Sequence, residues 1–246
     1  FEKAGIMRAQ RPTICGDRDP PFRLLDAARR KKARFLRIGS DFDWAPINET
    51  GDIMMSCPNA LTLSVPALST AQQCDNAAVA CTAAVMARSM LPLSRLHIAQ
   101  GISQTRLPAR LEERPGPISL LFDVAHNLES CQTLVRFIRA HPVSGRDIAV
   151  FSALSDKPLR EMGQLLASVF DAWYVCGLND TPRGLTANKL RDRLSFPRDT
   201  LSTAVNCHTD PQQAFIAARS DAKQGDRIVI FGSFITVQKV LEILDE

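Results

Sequence analysis

The sequence predicts an α/β chain whose second half is an open parallel sheet covered on both faces by helices. Three observations carry this. From Ile118 onward short apolar runs alternate with polar turns and stretches of helical spacing. The runs are continuously apolar rather than alternating, as strands buried on both faces are. A hydrophobic content of 45% over 246 residues is enough for a sizeable core in one large unit or two smaller ones.

The elements follow from the pattern. In the second half, strands are expected at 118–124, 147–154, 172–177, 200–205 and 227–232, with helices at 128–140, 158–169, 186–194, 211–222 and 234–244. The first hundred residues are less regular. "RPTICGD" at 11–17 reads as a short strand running into a turn and 22–34 as a helix. Short strands fill 35–66, broken by Pro46, Gly51, Pro58 and Pro66. Helical spacing returns at about 75–90, where Ala77, Val79, Ala80, Ala83, Ala84 and Met86 form a small-residue face. Between Arg110 and Pro117, prolines, a glycine and clustered charges read as a linker, which places the domain boundary at 112/113.

Composition excludes several classes. A net charge of +4 with scattered basic residues lacks the footprint of a nucleic-acid binder. The one basic run, "ARRKKARFLR" at 28–37, is either a solvated helix face or a polyanion site. The seven cysteines form no C-x-x-C pair, which argues against a disulfide framework or a zinc site. No apolar run is long enough to span a bilayer, so a soluble, cytoplasmic protein without membrane partners is expected. The chain opens on Phe1, and "FEKAGI" reads as the middle of a longer protein.

In open α/β sheets ligands bind beyond the carboxyl ends of the strands, which directs attention to Asp123–Asn127, Ser155–Lys157, Leu178–Gly184 and Gly232–Ser233. Asp123 either caps the following helix or accepts hydrogen bonds from a ribose diol. His126 and Asn127 add donors and acceptors at the same rim. Ser233 is either a helix N-cap or part of an anion site. Lys157 is either a surface lysine or a carboxylate clamp, and Arg110 either folds over a phosphate or is solvated. No G-x-x-x-x-G-K-S/T, G-x-G-x-x-G or G-x-S-x-G is present, so a phosphate cradle and a nucleophile elbow are both missing from these residues.

Seven stretches together resemble the dihydrofolate synthase/folylpolyglutamate synthase ligases of the Mur ligase superfamily. In order they are "EKAGIMR" (2–8), "RPTICGD" (11–17), "LPAR" (107–110), "FDVAHN" (122–127), "SDK" (155–157), "PRGLTANKL" (182–190) and "VIFGSFITV" (229–237). The resemblance implies the carboxyl-terminal part of such a ligase. Residues 1–112 would be the remainder of a Mur-type central ATPase domain, and 113–246 a Rossmann-like ligase domain.

Residue by residue, the resemblance makes Lys3 a lysine carried as a carbamate, an oxygen donor for Mg²⁺. It makes Asn76, in "QCDNAA", an adenine contact, Arg110 a phosphate ligand, Asp123 the ribose-binding acid and His126 a further nucleotide-site residue. Lys157 and Ser233 would lie near the incoming glutamate. The implied cofactors are ATP and Mg²⁺, and the implied substrates are L-glutamate and a pterin or folate. The implied reaction activates a carboxylate as an acyl phosphate, which the glutamate amine then displaces. The full-length enzyme is expected to be a monomer and the 246 residues alone inactive, because the P-loop is not among them. Three positions depart from the family pattern: Ala109 replaces a glycine, Leu128 a proline and Ile235 a histidine. Two other readings share these residues: a non-catalytic nucleotide- or glutamate-binding module, and a Mur-type ligase acting on a peptidoglycan precursor.

Overall fold

The computed structural model describes residues 2–47, 52–59, 61–66, 70–105, 107–196 and 204–244. They form two compact units, Phe1–Arg106 and Leu107–Glu246.

The first unit begins with a 3-10 turn, Glu2–Ile6, followed by strand β1 (Pro12–Cys15), helix α1 (Phe22–Arg30) and strand β2 (Arg34–Arg37). The helix expected over 22–34 stops at Arg30 for a local reason. Lys32 takes a left-handed φ of 52°, and the N–H groups of Lys32 and Ala33 return to the carbonyls of Arg29 and Ala28, a Schellman closure. The basic run is therefore split between a helix end, a turn and a strand. β1 and β2 pair in parallel, with Pro12 opposite Arg34.

Strands β3 (Asp43–Pro46), β4 (Asp52–Cys57) and β5 (Leu61–Pro66) form an antiparallel sheet. Helix α2 (Ala71–Ala87) lays Cys74, Ala77, Ala78, Cys81 and Val85 into the same core as Ile53, Met55, Leu63 and Val65. Small side chains let its backbone approach the sheet. Trp44 on β3 donates its Nε1–H to Asp75 of α2 at 2.8 Å. Helix α3 (Arg95–Gln104), not expected from the sequence, is capped by Ser94 and buries only Ile98 among its residues.

In the second unit six strands lie in the order β10-β9-β8-β11-β7-β6, built from β6 (Arg110–Arg114), β7 (Ser119–Asp123), β8 (Asp147–Phe151), β9 (Ala172–Cys176), β10 (Ala204–His208) and β11 (Arg227–Phe231). The last five are parallel. β6 is an antiparallel edge strand, so the stretch read as a linker belongs to the sheet. Residues 110–114 are polar enough to look like a connection because an edge strand with one open side does not need an apolar run. The expected strand at 200–205 begins on residues outside those described; the described strand runs Ala204–His208.

Side chains alternate between two cores, as strand geometry demands. Leu121, Ala149, Phe151, Trp173, Val229 and Phe231 face helices α4 (Leu128–Ala140), α5 (Leu159–Leu166) and α6 (Ala187–Leu194). Leu120, Phe122, Ile148, Val150, Tyr174 and Ile230 face α7 (Pro211–Asp221) and α8 (Phe234–Glu242). Trp173 is fully buried and meets Phe151 and Phe170 edge-on at 5.9 and 5.1 Å.

One buried charge lies at the opposite edge from the strands' carboxyl ends. Arg227, 2% exposed, donates Nε–H to Asp147 at 2.7 Å and Nη1–H to the His141 carbonyl at 2.8 Å. It joins two neighbouring strands to the last carbonyls of α4, a helix terminus that favours a cation. Among the described residues no helix is long and apolar enough to cross a membrane.

Candidate active site at the carboxyl ends of the strands

Asp123 is the last residue of β7 and lies opposite Arg110 on β6. It does not cap α4. Asn127 does, accepting the Ser130 N–H at 2.9 Å, and the Ser130 hydroxyl answers by accepting the Asn127 N–H. This reciprocal cap starts the helix at Leu128 without the proline of the family pattern.

The Asp123 carboxylate instead holds backbone. Oδ2 accepts the Leu111 N–H at 2.9 Å and Oδ1 the Ala125 N–H at 2.7 Å. Leu111 is the extra residue of a β-bulge between Arg110 and Glu112, with φ of 53°. Ala109 is also left-handed, at 55°, so the alanine in "LPAR" occupies a conformation that favours glycine. Ala109 donates its N–H to the Glu112 carboxylate at 2.9 Å and accepts the Val124 N–H at 3.0 Å. Two left-handed residues on either side of Arg110 thus set its backbone, and Asp123 secures the second of them.

Burial pushes the Asp123 carboxyl up to about 6, against the opposing pull of the Leu111 and Ala125 N–H groups and of the positive charges of Arg110 and His126. Each carboxylate oxygen keeps a second lone pair, so the group remains able to accept a further hydrogen bond.

His126 is half-buried, and its Nδ1 lies 2.7 Å from the Val124 carbonyl. A carbonyl only accepts, so that contact places a proton on Nδ1. The His126 ring lies 6.5 Å from Phe234, which is 61% exposed, and the Arg110 guanidinium lies 5.6 Å from the centroid of the same ring. An aromatic ring left in solvent at the start of a helix, with a cation on it and an imidazole beside it, forms a flat surface suited to a ring-bearing ligand.

Ser233 precedes Phe234 as the N-cap of α8. Its hydroxyl accepts the Thr236 N–H at 3.0 Å and pairs with the Thr236 hydroxyl at 2.7 Å. Gly232 makes this turn possible: φ is 107°, and a Cβ there would stand 2.0 Å from the Ser152 carbonyl oxygen. Lys157 follows β8 and pairs with its neighbour Asp156 at 3.5 Å, an acid that Arg183 also holds at 3.1 Å. The structure therefore brings Arg110, Asp123 and His126 together, with Ser233 adjoining through Phe234. No contact joins Lys157 to them among the described residues.

Lys3 and Asn76 belong to the first unit. Lys3 is exposed in the 3-10 turn, and Asn76 is exposed on α2, its side-chain oxygen 3.5 Å from Gln72 Nε2. Among the described residues no group of three or more histidine, cysteine or acidic side chains is assembled for a metal ion. Sequence reasoning missed Phe234 and the left-handed pair at 109 and 111. The glycine-to-alanine departure in "LPAR" was the signal for the pair, and an aromatic directly after Gly232–Ser233 the signal for Phe234.

Comparison with known proteins identifies what the chain as a whole is similar to. The family model described as Mur ligase, glutamate ligase domain matches residues 109–234. The dihydrofolate synthase/folylpolyglutamate synthase of Escherichia coli (strain K12) is 34% identical over 251 residues, covering 99% of this chain and 54% of that protein. A structure of E. coli FolC in complex with DHPP and ADP matches with a TM-score of 0.83 at 33% identity, over 99% of this chain and 55% of that one. A bifunctional folylpolyglutamate synthase/dihydrofolate synthase with Mn, AMPPNP and L-glutamate bound matches with a TM-score of 0.82 at 29% identity, over all of this chain and 56% of the other. The chain spans about half the length of the curated relatives it matches. With the matched segment covering just over half of its residues and all of the strand-end site, the chain belongs to the Mur ligase, glutamate ligase domain family.

Proposed function

We propose that this chain is the glutamate-ligase part of an ATP-dependent acid–amino-acid ligase that joins L-glutamate to dihydropteroate, to the γ-carboxylate of folates, or to both. The observation that carries the reading is the assembly of Arg110, Asp123, His126 and Phe234 beyond the carboxyl ends of β7 and β11. In it Asp123 accepts the ribose hydroxyls and Phe234 with His126 borders the base. Arg110 meets phosphate charge, its guanidinium suited to two oxygens of one phosphoryl group. The nucleotides and L-glutamate in the related structures support the same assignment.

ATP, when bound, supplies the phosphoryl group that activates the acceptor carboxylate. The residues of this chain bind and orient it and offset its charge. Asn76 is assigned to adenine, and Lys157 and Ser233 to the carboxylates of glutamate, with Lys157 exchanging Asp156 for the substrate. A carbamate on Lys3 would give Mg²⁺ one hard oxygen donor. Among the described residues no further donor set is assembled. Residues 1–106 are read as part of the ATP-binding domain and 107–246 as the ligase domain, the boundary moving from 112/113 so that β6 stays with its sheet, in a soluble, cytoplasmic enzyme that is monomeric at full length.

Turnover by the longest translated form of this reading frame tests the proposal. Dihydropteroate, L-glutamate and ATP with Mg²⁺ should give phosphate and a product heavier by one glutamyl residue, while a UDP-linked peptidoglycan precursor should not react. The opposite preference overturns the folate assignment. Micromolar ATP affinity of the 246 residues without turnover by any form would favour a binding module.

A further inference from the structure

The first unit carries a second concave feature that the ligase reading does not use. A cavity of about 630 Å³ is lined by Arg11, Arg34 and Arg88, with Asn59 beside them and Val85, Met86 and Met90 as apolar lining. Arg34 comes from the basic run at 28–37, whose role the sequence left open between solvated face and polyanion site.

The three cations have different origins. Arg11 and Arg34 are brought together by the parallel pairing of β1 and β2, where the Arg34 N–H donates to the Arg11 carbonyl at 3.0 Å. Arg88 follows the last turn of α2. A helix carboxyl terminus favours one cation, and Arg88 satisfies that preference while its Nε holds the Leu93 carbonyl at 3.0 Å. Arg88 retains both terminal amino groups for another partner.

The dipole does not account for Arg11 and Arg34. Among the described residues no carboxylate pairs with any of the three. Elsewhere in this unit an arginine at a similar surface is offset: Arg18 is held by Asp43 and Asp75 at 2.7 and 2.8 Å. Three arginines among the residues lining one concave surface suit it to oxyanions, since a guanidinium can donate two parallel hydrogen bonds to a phosphoryl or carboxylate group. The methionine and valine side chains offer an apolar wall to the body of such a ligand.

We propose that Arg11, Arg34 and Arg88, with Asn59, form a binding site for a small organic polyanion carrying two or more phosphate or carboxylate groups. All of its lining residues belong to the first unit.

Methionine-methyl NMR of the full 246-residue chain, titrated at low salt with inorganic pyrophosphate and separately with citrate, tests it. The Met86 and Met90 methyl signals should move in a saturable way with at least one of the two anions. The Met162 signal, in the second unit, should stay fixed. Stronger binding of pyrophosphate or of citrate identifies phosphoryl or carboxylate ligands respectively. Arg34→Gln combined with Arg88→Gln should raise the dissociation constant at least tenfold, and Arg29→Gln should leave it unchanged. Exposure of these side chains makes folded variants the expected result, which the unperturbed Met55 signal verifies. Unmoved Met86 and Met90 signals at millimolar concentrations of both anions overturn the proposal. So does equal weakening by Arg29→Gln, or undiminished binding by the double variant. None of these outcomes bears on nucleotide binding at Asp123.

Discussion

Asp123 Oδ2 accepts the N–H of Leu111 across 2.9 Å, so the acid at the end of one strand fastens the bulged residue of the next. The same carboxylate is the candidate ribose ligand. Its position is therefore fixed by the backbone it holds, and the backbone of Arg110 is fixed with it.

The protonation of Asp123 should be visible in stability. Its carboxyl is raised from an ordinary value near 4 to about 6, so the folded protein retains a proton that the unfolded chain releases. That contribution is present below about pH 4 and is lost as pH rises through about 6. Asparagine cannot ionise. Urea midpoints across pH 4–8 should show the wild type losing stability relative to Asp123→Asn over that window. A constant difference would show that the carboxyl titrates normally.

Ala109 offers the converse experiment. A left-handed alanine is strained by about 1 kcal/mol, part of which a glycine returns as unfolded-chain entropy. Ala109→Gly should therefore stabilise the second unit by about 0.5–1 kcal/mol, read as a rise in the urea midpoint with unchanged slope.

Gly232→Ala should be severe. The added methyl meets the Ser152 carbonyl and the Phe151 ring while φ stays positive. A loss of at least about 3 kcal/mol is expected, and a soluble variant with a near-native melting temperature would contradict it.

Arg227→Ala leaves Asp147 and the end of α4 without their cation. Breaking a buried pair from one side destabilises by about 3–5 kcal/mol. Thermal unfolding should reveal this without any local change at Arg110, because the pair lies at the other end of the strands.

For the site itself, Arg110→Gln removes the charge above Phe234. On the proposed assignment, ADP affinity of the longest translated form should fall by about tenfold or more, while melting temperature changes little. Phe234→Leu should weaken binding with the loss of the flat ring, and calorimetric titration with ADP separates the two effects.

Much of the second unit was legible because its strands are buried on both faces. "SLLFD" and "RIVIF" can only be central strands, and α4 came out at its observed limits because Asn127 and His141 bracket an amphipathic run. β6 escaped notice because its polar sequence takes its geometry from pairing with β7. α3 escaped because Gly101 interrupts a segment that buries a single side chain. At the site, the sequence marked Arg110, Asp123 and His126, but the exposure of Phe234 and the left-handed backbone at Ala109 and Leu111 are products of packing. Both Ser233 and Asp123 were open as helix caps, and packing separates them: the serine caps its helix, and the acid does not.

The placement of the two tryptophans gives each unit its own optical label. Trp173 sits in a fully buried aromatic cluster and should emit at short wavelength until the parallel sheet opens. Trp44, half-buried and tied to Asp75, reports the antiparallel sheet instead. Replacing either one with phenylalanine turns a composite fluorescence melt into a record of one unit, so that the order in which the halves of this chain come apart can be read from emission alone.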